Sequence, residues 1–233
     1  MSRTFGELLR TKEHVLGQMS FFGYPEIVEI AAYAGFDFVV IDEEHGSDRS
    51  APNSHAIRAA QAAGIVPFIK VPSVHDGAGI LRALDSGAAG VVVPDIQTRA
   101  DAELAVAHAK YEPLGKRGAS SFTRAGHFGA LDQASYYARA NEDVSVVALI
   151  EDKEGVRNFD DIVAVEGLDA VFFGPVDLSM SLGVAAGMYG ETPEQVKMWF
   201  DQGCSFVACM VDNNFICKAE RDFVHSVRIA LGK

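Results

Sequence analysis

Four short apolar runs of this chain are each followed by side chains that can carry charge, bind a cation or exchange a proton. Histidine exchanges a proton near neutral pH most readily. Carboxylates bind hard divalent cations, and a lysine can act as a cation or, when desolvated, as a nucleophile. These groups together predict an enzyme site that uses a metal. The runs and their groups are Phe38–Ile41 with Asp42 and His45, Val66–Ile69 with Lys70, Val146–Ile150 with Glu151, and Val171–Phe173 with Gly174 and Asp177.

Glu151 and Asp177 are the candidate metal ligands. Two carboxylates without a neighbouring cysteine or histidine favour Mg²⁺ or Mn²⁺, with Co²⁺ as an alternative. The competing interpretation is that both residues cap the helices that follow their strands. The turn from Gly174 to Asp177 also offers backbone N–H groups that can bind a carboxylate.

His45 is the candidate general base, because Asp42 and Glu44 can orient its ring and Gly46 lets the backbone turn. A structural role is the alternative for any single histidine in a loop. Lys70 has three interpretations: a cation that holds a carboxylate or enolate oxygen, a Schiff-base nucleophile, or a lysine at the rim of the fold.

Strand-like and helix-like segments alternate along the chain, and the strands are apolar throughout. That pattern predicts a parallel sheet covered on both faces, as in an α/β barrel, with a doubly wound sheet as the second possibility. In a parallel barrel the C-terminal strand ends converge, so the groups above would form one cluster. Seven strands are predicted, one fewer than a closed barrel has: Val15–Phe21, Phe38–Ile41, Val66–Val71, Val91–Val93, Val144–Ile150, Ala170–Phe173 and Phe206–Val211.

Composition sets the broad class. The 233 residues are 48% hydrophobic and 22% charged and predict one domain over residues 1–233. A net charge of -12 disfavours nucleic acid or an anionic membrane as the partner. No apolar run approaches the roughly 18 residues that span a bilayer, and three cysteines without a CxxC pair suit a cytoplasmic protein.

The chain resembles the HpcH/HpaI aldolases, a family of metal-dependent pyruvate aldolases. The combination of matching segments is specific, although each segment alone would be weak. The segments are Ala34–Gly46, Gly87–Pro94, Ala140–Glu142, Ile150–Glu151 and Val171–Ser179.

The resemblance implies a (β/α)₈ TIM barrel of the phosphoenolpyruvate/pyruvate type, assembled as a homotrimer or homohexamer with active sites near subunit contacts. It implies that Glu151 and Asp177 bind the metal and that His45 is the base. Asp85 matches the carboxylate that raises the basicity of this histidine. Val176 and Asp177 match the positions whose backbone binds the carboxylate of pyruvate.

Two departures from the family pattern stand out. The family has arginine where this chain has Lys70, and lysine cannot form the bidentate contact of a guanidinium. The family also carries a further helix and strand between Gly190 and Thr192, so one strand–helix unit before the last strand is expected to be missing.

The leading hypothesis is reversible aldol cleavage of a 4-hydroxy-2-oxo acid to pyruvate and an aldehyde. His45, supported by Asp85 or Asp42, would remove the hydroxyl proton, and Lys70 would offset charge on the enolate. The alternatives are an acyl-CoA lyase of the citrate lyase-like superfamily, a Schiff-base aldolase that uses Lys70, and a non-catalytic barrel that binds oxo acids.

Overall fold

The computed structural model describes residues 4–46, 53–174 and 189–230. Within these ranges eight strands run parallel in one sheet. They are β1 (Val15–Ser20), β2 (Phe38–Asp42), β3 (Val66–Lys70), β4 (Gly90–Val93), β5 (Ser145–Ile150), β6 (Ala170–Phe173), β7 (Tyr189–Gly190) and β8 (Phe206–Val211).

The strand order identifies the fold as a nearly closed (β/α)₈ barrel. The order in space is β6, β5, β4, β3, β2, β1, β8, β7. Strands that are neighbours in the sheet are therefore also neighbours in sequence, with one exception. That exception is β8, which pairs with β1 through Phe206 and Val15. A doubly wound sheet would instead reverse direction at a switch point, so that second possibility is wrong.

The sequence count of seven strands is one short. The described part of β7 comprises Tyr189 and Gly190, which pair with Ala208 and Cys209 of β8. These two described residues form no apolar run, so they give the sequence pattern no strand signal. An eighth strand is therefore present, where the sequence predicted seven strands and a missing unit.

The helices begin and end at residues that favour those boundaries. Pro25 lies in the first turn of its helix, and Gly35 ends that helix with φ 100°, a conformation that glycine adopts without penalty. No helix in the described ranges is long and apolar enough to cross a membrane. The helices are α1 (Phe5–Thr11), α2 (Pro25–Ala34), α3 (Ser54–Ala63), α4 (Gly77–Asp85), α5 (Arg99–Ala109), α6 (Gln133–Asp143), α7 (Lys153–Arg157), α8 (Phe159–Val163), α9 (Pro193–Asp201) and α10 (Asp212–Ala230).

An aromatic cluster fills the barrel interior. Phe5 of α1 inserts into it, with ring centroids 4.9 Å from Phe68, 5.6 Å from Phe38 and 5.7 Å from Phe206. Gly17 leaves room for the ring of Phe38, since a Cβ there would lie 2.0 Å from it. Because α1 precedes β1 and covers the N-terminal ends of the strands, the C-terminal ends remain for chemistry.

Candidate active site

The predicted strand-end groups share one end of the barrel. Asp42 and Lys70 are direct neighbours in the sheet register of β2 and β3. Glu151 directly follows β5, and Gly174 directly follows the adjacent strand β6. Parallel strands bring their C-terminal ends together, so His45, Lys70, Glu151 and Gly174 belong to one face of the molecule.

Lys70 is a buried cation held by acidic side chains. Its side chain is 6% exposed, and Nζ lies 2.5 Å from Glu44 Oε2 and 3.7 Å from Asp42 Oδ2. Burial alone would lower the pKa of this amine, but the charges of Asp42, Glu44 and Glu151 outweigh burial and raise it. Lys70 therefore stays protonated at neutral pH, which suits a cationic role and opposes a Schiff-base role.

Asp42 shapes the loop that carries His45. Its Oδ1 accepts hydrogen bonds from the backbone N–H groups of Glu44, at 2.8 Å, and His45, at 2.7 Å. The imidazole of His45 is 55% exposed, and its Nε2 lies 3.4 Å from Glu44 Oε2. Glu44 therefore stands between the candidate base and the buried lysine, with the His45 ring facing solvent at the barrel mouth.

Glu151 is a buried carboxyl at the centre of this face. Burial raises its pKa to about 7, although the backbone N–H of Asp95 and the charge of Lys70 act in the opposite direction. That N–H donates to Glu151 Oε1 over 3.0 Å, and Asp95 adopts the left-handed φ of 55° to present it. Gly174 keeps the space beside Oε2 open, because a Cβ there would lie 2.8 Å from this oxygen.

The carboxyl groups at this face are donors of the type that a divalent cation prefers. Asp42, Glu44 and Glu151 place three carboxyl groups around the single charge of Lys70. Asp42 Oδ2 is buried and accepts no hydrogen bond from the described residues. Within residues 4–46, 53–174 and 189–230, however, no three His, Cys, Asp or Glu side chains converge closely enough to hold an ion by themselves. The second predicted ligand, Asp177, and the substrate-binding position Val176 lie outside the described residues.

Asp85 does not lie beside His45 within one chain. It is the last residue of α4, which returns to the N-terminal end of the sheet just before β4 begins. Its carboxylate pairs there with the buried guanidinium of Arg117 at 2.7 Å. Arg117 also stacks on Tyr111, 4.5 Å from the ring centroid. The Asp85–His45 contact implied by the resemblance is therefore absent from the described part of a single chain.

Two residues of this face escaped the sequence analysis as site residues. The sequence identifies Glu44 only as an acidic neighbour of His45 and does not single out Asp95. Each lies next to the C-terminal end of a strand, β2 and β4 respectively. A position next to the C-terminal end of a strand is the sequence signal for such a site residue, but only the fold shows which way its side chain points.

The fold and this acidic strand-end site define a (β/α)₈ barrel of the pyruvate-aldolase type. The chain belongs to the HpcH/HpaI aldolase/citrate lyase family, whose model matches residues 22–210. It is 36% identical over 179 residues to the 5-keto-4-deoxy-D-glucarate aldolase of Escherichia coli (strain K12), which covers 77% of this chain and 69% of that protein.

Solved structures agree with the fold. An HpcH/HpaI aldolase from Desulfitobacterium hafniense DCB-2 matches with a TM-score of 0.88 and 26% identity, over 97% of this chain and 96% of that chain. The citrate synthase SbnG matches with a TM-score of 0.85 and 29% identity over 99% of each chain. The E. coli relative is an aldolase, which is a carbon–carbon lyase, so the lyase class predicted from the sequence is confirmed at the level of the family.

Proposed function

We propose that this protein catalyses reversible aldol cleavage of a 4-hydroxy-2-oxo acid to pyruvate and an aldehyde. The observation that carries the proposal is the convergence of His45, Lys70 and Glu151 on one barrel face of a chain from an aldolase family. The substrate class follows from the E. coli relative, which is named for 5-keto-4-deoxy-D-glucarate. Counted from its oxo end, that molecule is a 4-hydroxy-2-oxo acid.

The protein's own residues supply proton transfer and charge. His45 takes the proton of the 4-hydroxyl group, and the O–H electron pair forms the aldehyde carbonyl. The C3–C4 bond breaks, and its electron pair enters the enolate of pyruvate. The ammonium of Lys70 offsets the negative charge of that enolate, and the enolate takes up a proton at C3 to give pyruvate.

Glu151 and Asp177 are the residues that would hold a divalent cation, Mg²⁺ or Mn²⁺, at this face. When bound, such a cation supplies a Lewis acid for the oxygen atoms of the 2-oxo acid. Support comes from the buried carboxyl of Glu151, from Asp42 Oδ2, which accepts no hydrogen bond from the described residues, and from the space kept open by Gly174. The backbone at Val176 and Asp177, next to Gly174, is the proposed site for the substrate carboxylate.

A role for Asp85 at His45 requires a second copy of the chain. The two residues lie at opposite ends of one barrel, so the carboxylate could reach the imidazole only across a subunit contact. We therefore propose a homo-oligomer, a trimer or a hexamer, in which this contact completes the site. The Asp85 side chain is 22% exposed, and its partner Arg117 lines an open cavity of about 960 Å³. We expect this assembly in the cytoplasm, where the three free cysteines would stay reduced.

The test is pyruvate release from 5-keto-4-deoxy-D-glucarate and a panel of related 4-hydroxy-2-oxo acids, with Mg²⁺ or Mn²⁺ and after EDTA treatment. We expect turnover that requires the added ion. Pyruvate binding without turnover at saturating metal would instead indicate a non-catalytic barrel. Condensation of oxaloacetate with acetyl-CoA would indicate the acyl-CoA alternative, and borohydride trapping of pyruvate on Lys70 would indicate the Schiff-base route.

A further inference from the structure

A buried carboxylate at the end of β8 fastens the loop after β1. Asp212 is 2% exposed. Its Oδ2 accepts from the hydroxyl of Ser20 at 2.7 Å and from the backbone N–H of Phe22 at 3.2 Å. Its Oδ1 accepts from the N–H groups of Phe21, at 3.0 Å, and Asn213, at 2.7 Å. Three of these four donors belong to residues 20–22, so the carboxylate fixes this loop firmly.

A bulge in β8 aims Asp212 at this loop. Between the pairs Gly17–Ala208 and Met19–Val211 the register shifts, so β8 has one residue more than β1. Met210, inside the bulge, has a φ of 62°. A residue other than glycine adopts this conformation only at an energetic cost. Backbone strain of this kind persists where the surrounding structure holds the residue in place. Bulges in strands redirect side chains next to active sites.

The fastened loop contacts the loop that carries the candidate base. The ring of Phe21 lies 6.4 Å from the His45 ring, measured between centroids. The backbone also makes close contact, because a Cβ on Gly46 would lie 3.0 Å from the carbonyl oxygen of Phe21. Ser20 also holds the next part of the loop, because its hydroxyl oxygen accepts a hydrogen bond from the backbone N–H of Gly23 at 3.2 Å. Residues 20–23 are therefore in direct contact with the loop that carries His45.

We propose that Asp212 is a positioning residue that holds Phe21 against His45 and so keeps the imidazole aligned for proton removal. This inference rests on the proposed aldol function. Asp212 touches neither substrate nor cation in this scheme and acts only through the β1 loop. His45 benefits from such support, because its side chain is 55% exposed.

Two reactions of the same site separate this role from a general loss of structure. Aldol cleavage needs His45, because a hydroxyl proton must leave as the C3–C4 bond breaks. Decarboxylation of oxaloacetate breaks a C3–C4 bond as well, releases CO₂ and leaves the electron pair in the same pyruvate enolate. The departing carboxylate is already ionised, so that reaction requires no base. Loss of positioning at His45 should therefore affect only the first reaction.

The experiment compares both rates in Asp212→Asn and Ser20→Ala with the wild-type protein at saturating Mg²⁺. We expect Asp212→Asn to lower the aldol kcat by about tenfold or more, since small misplacements of catalytic groups cost up to roughly 10²-fold. Oxaloacetate decarboxylation should change by less than about twofold on the same reasoning. Ser20→Ala, which removes one donor to Asp212, should give a smaller effect in the same direction.

Asp37→Asn is the matched control. Asp37 also fastens a strand, because its Oδ2 accepts the N–H of Leu16 at 3.0 Å, but it precedes β2 at the opposite barrel end. Asp37→Asn should leave the rates of aldol cleavage and of oxaloacetate decarboxylation unchanged. Equal losses of the two activities in Asp212→Asn and Ser20→Ala, or no loss in either, would overturn the inference. A wild-type protein that decarboxylates oxaloacetate but cleaves no 4-hydroxy-2-oxo acid would refute the proposed function itself, and this inference with it.

Discussion

At the scale of single residues, the site combines a half-exposed histidine with buried charges. His45 faces the barrel mouth, whereas Lys70 and Glu151 are almost fully buried. A base must reach substrate, so its exposure is useful. The buried groups need one another, because a charge removed from water is costly unless an opposite charge lies nearby. Variants at these positions should therefore affect catalysis and stability differently.

Replacing His45 should remove catalysis without unfolding the protein. We expect His45→Ala to lower the retro-aldol rate roughly 10²–10⁴-fold, the usual contribution of a general base. The melting temperature should barely change, because about half of the side-chain surface is exposed. Pyruvate release and thermal unfolding measured on one preparation test both parts. His75→Ala, at another exposed histidine, is the control, and near-normal turnover in His45→Ala would remove His45 from the mechanism.

The raised pKa of Glu151 predicts that cation affinity depends on pH. Burial holds this pKa at about 7 in the folded protein, and a cation must displace the proton. Below pH 7 a proton competes with the cation for Glu151, and above pH 7 the carboxyl is ionised. The dissociation constant for Mn²⁺ should therefore rise about tenfold from pH 6.5 to 5.5 and level off above pH 7.5. Titration calorimetry measures it.

Two variants complete the pH experiment. Glu151→Gln should bind Mn²⁺ weakly at every pH, and His45→Ala should keep the pH response, which separates Glu151 from the nearby imidazole. A dissociation constant that stays the same from pH 5.5 to 8 would show that Glu151 does not take part in binding the cation.

At the scale of elements, neighbouring strand ends must leave space between them. Gly174 follows β6 and faces the carboxyl of Glu151, which follows β5. A Cβ at Gly174 would lie 2.8 Å from Glu151 Oε2 and 2.9 Å from its Cβ. These separations are too short for carbon, so either strand end must shift.

We therefore expect Gly174→Ala to weaken Mn²⁺ binding by about tenfold, within the range found when the support of a metal ligand is disturbed. Gly118→Ala is the matched control, because a Cβ there would have its nearest neighbour at an ordinary 3.7 Å. Calorimetric binding of Mn²⁺ to both variants measures the difference. Equal affinity in the two would show that this space is not needed.

Helix α1 should contribute strongly to stability through one ring. Phe5 is 1% exposed and inserts among three other phenylalanines inside the barrel. Phe5→Ala should lower the free energy of unfolding by about 3–5 kcal/mol, the usual cost of such a cavity. The same substitution at the exposed Phe122 should cost little. Chemical denaturation of both variants gives the comparison, and similar losses would contradict the role of Phe5.

At the scale of the whole molecule, a shared active site can be tested by complementation. His45→Ala and Asp85→Asn should each be poorly active alone. If Asp85 of one copy serves His45 of another, mixed assemblies contain some sites with both residues intact. Refolding the two variants together should then restore about a quarter of wild-type activity, as random mixing requires.

The complementation result must be read with the stability of each variant. Asp85→Asn also weakens the ion pair with the buried Arg117, so its thermal unfolding should be measured beside its activity. A mixture no more active than its components, with both variants folded, would contradict a shared site.

The sequence by itself determined most of the barrel and the polar groups at its mouth. All seven predicted strands are present, and His45, Lys70 and Glu151 stand where the apolar runs end. Apolar strands followed by charged residues reflect local chemistry, namely apolar burial along the strand and a cluster of polar groups at its end. Such information lies in adjacent residues, so one sequence is enough to find it.

Only the tertiary structure decided which distant residues meet. It pairs β8 with β1 and so brings Asp212 to Ser20, which lies 192 positions earlier. It also places Asp85 with Arg117 at the far end from His45, and it adds an eighth strand, β7, beside β8. These contacts follow from closing the barrel and from the direction in which each helix returns. No local pattern of residue types encodes that geometry, because it depends on the packing of the whole sheet.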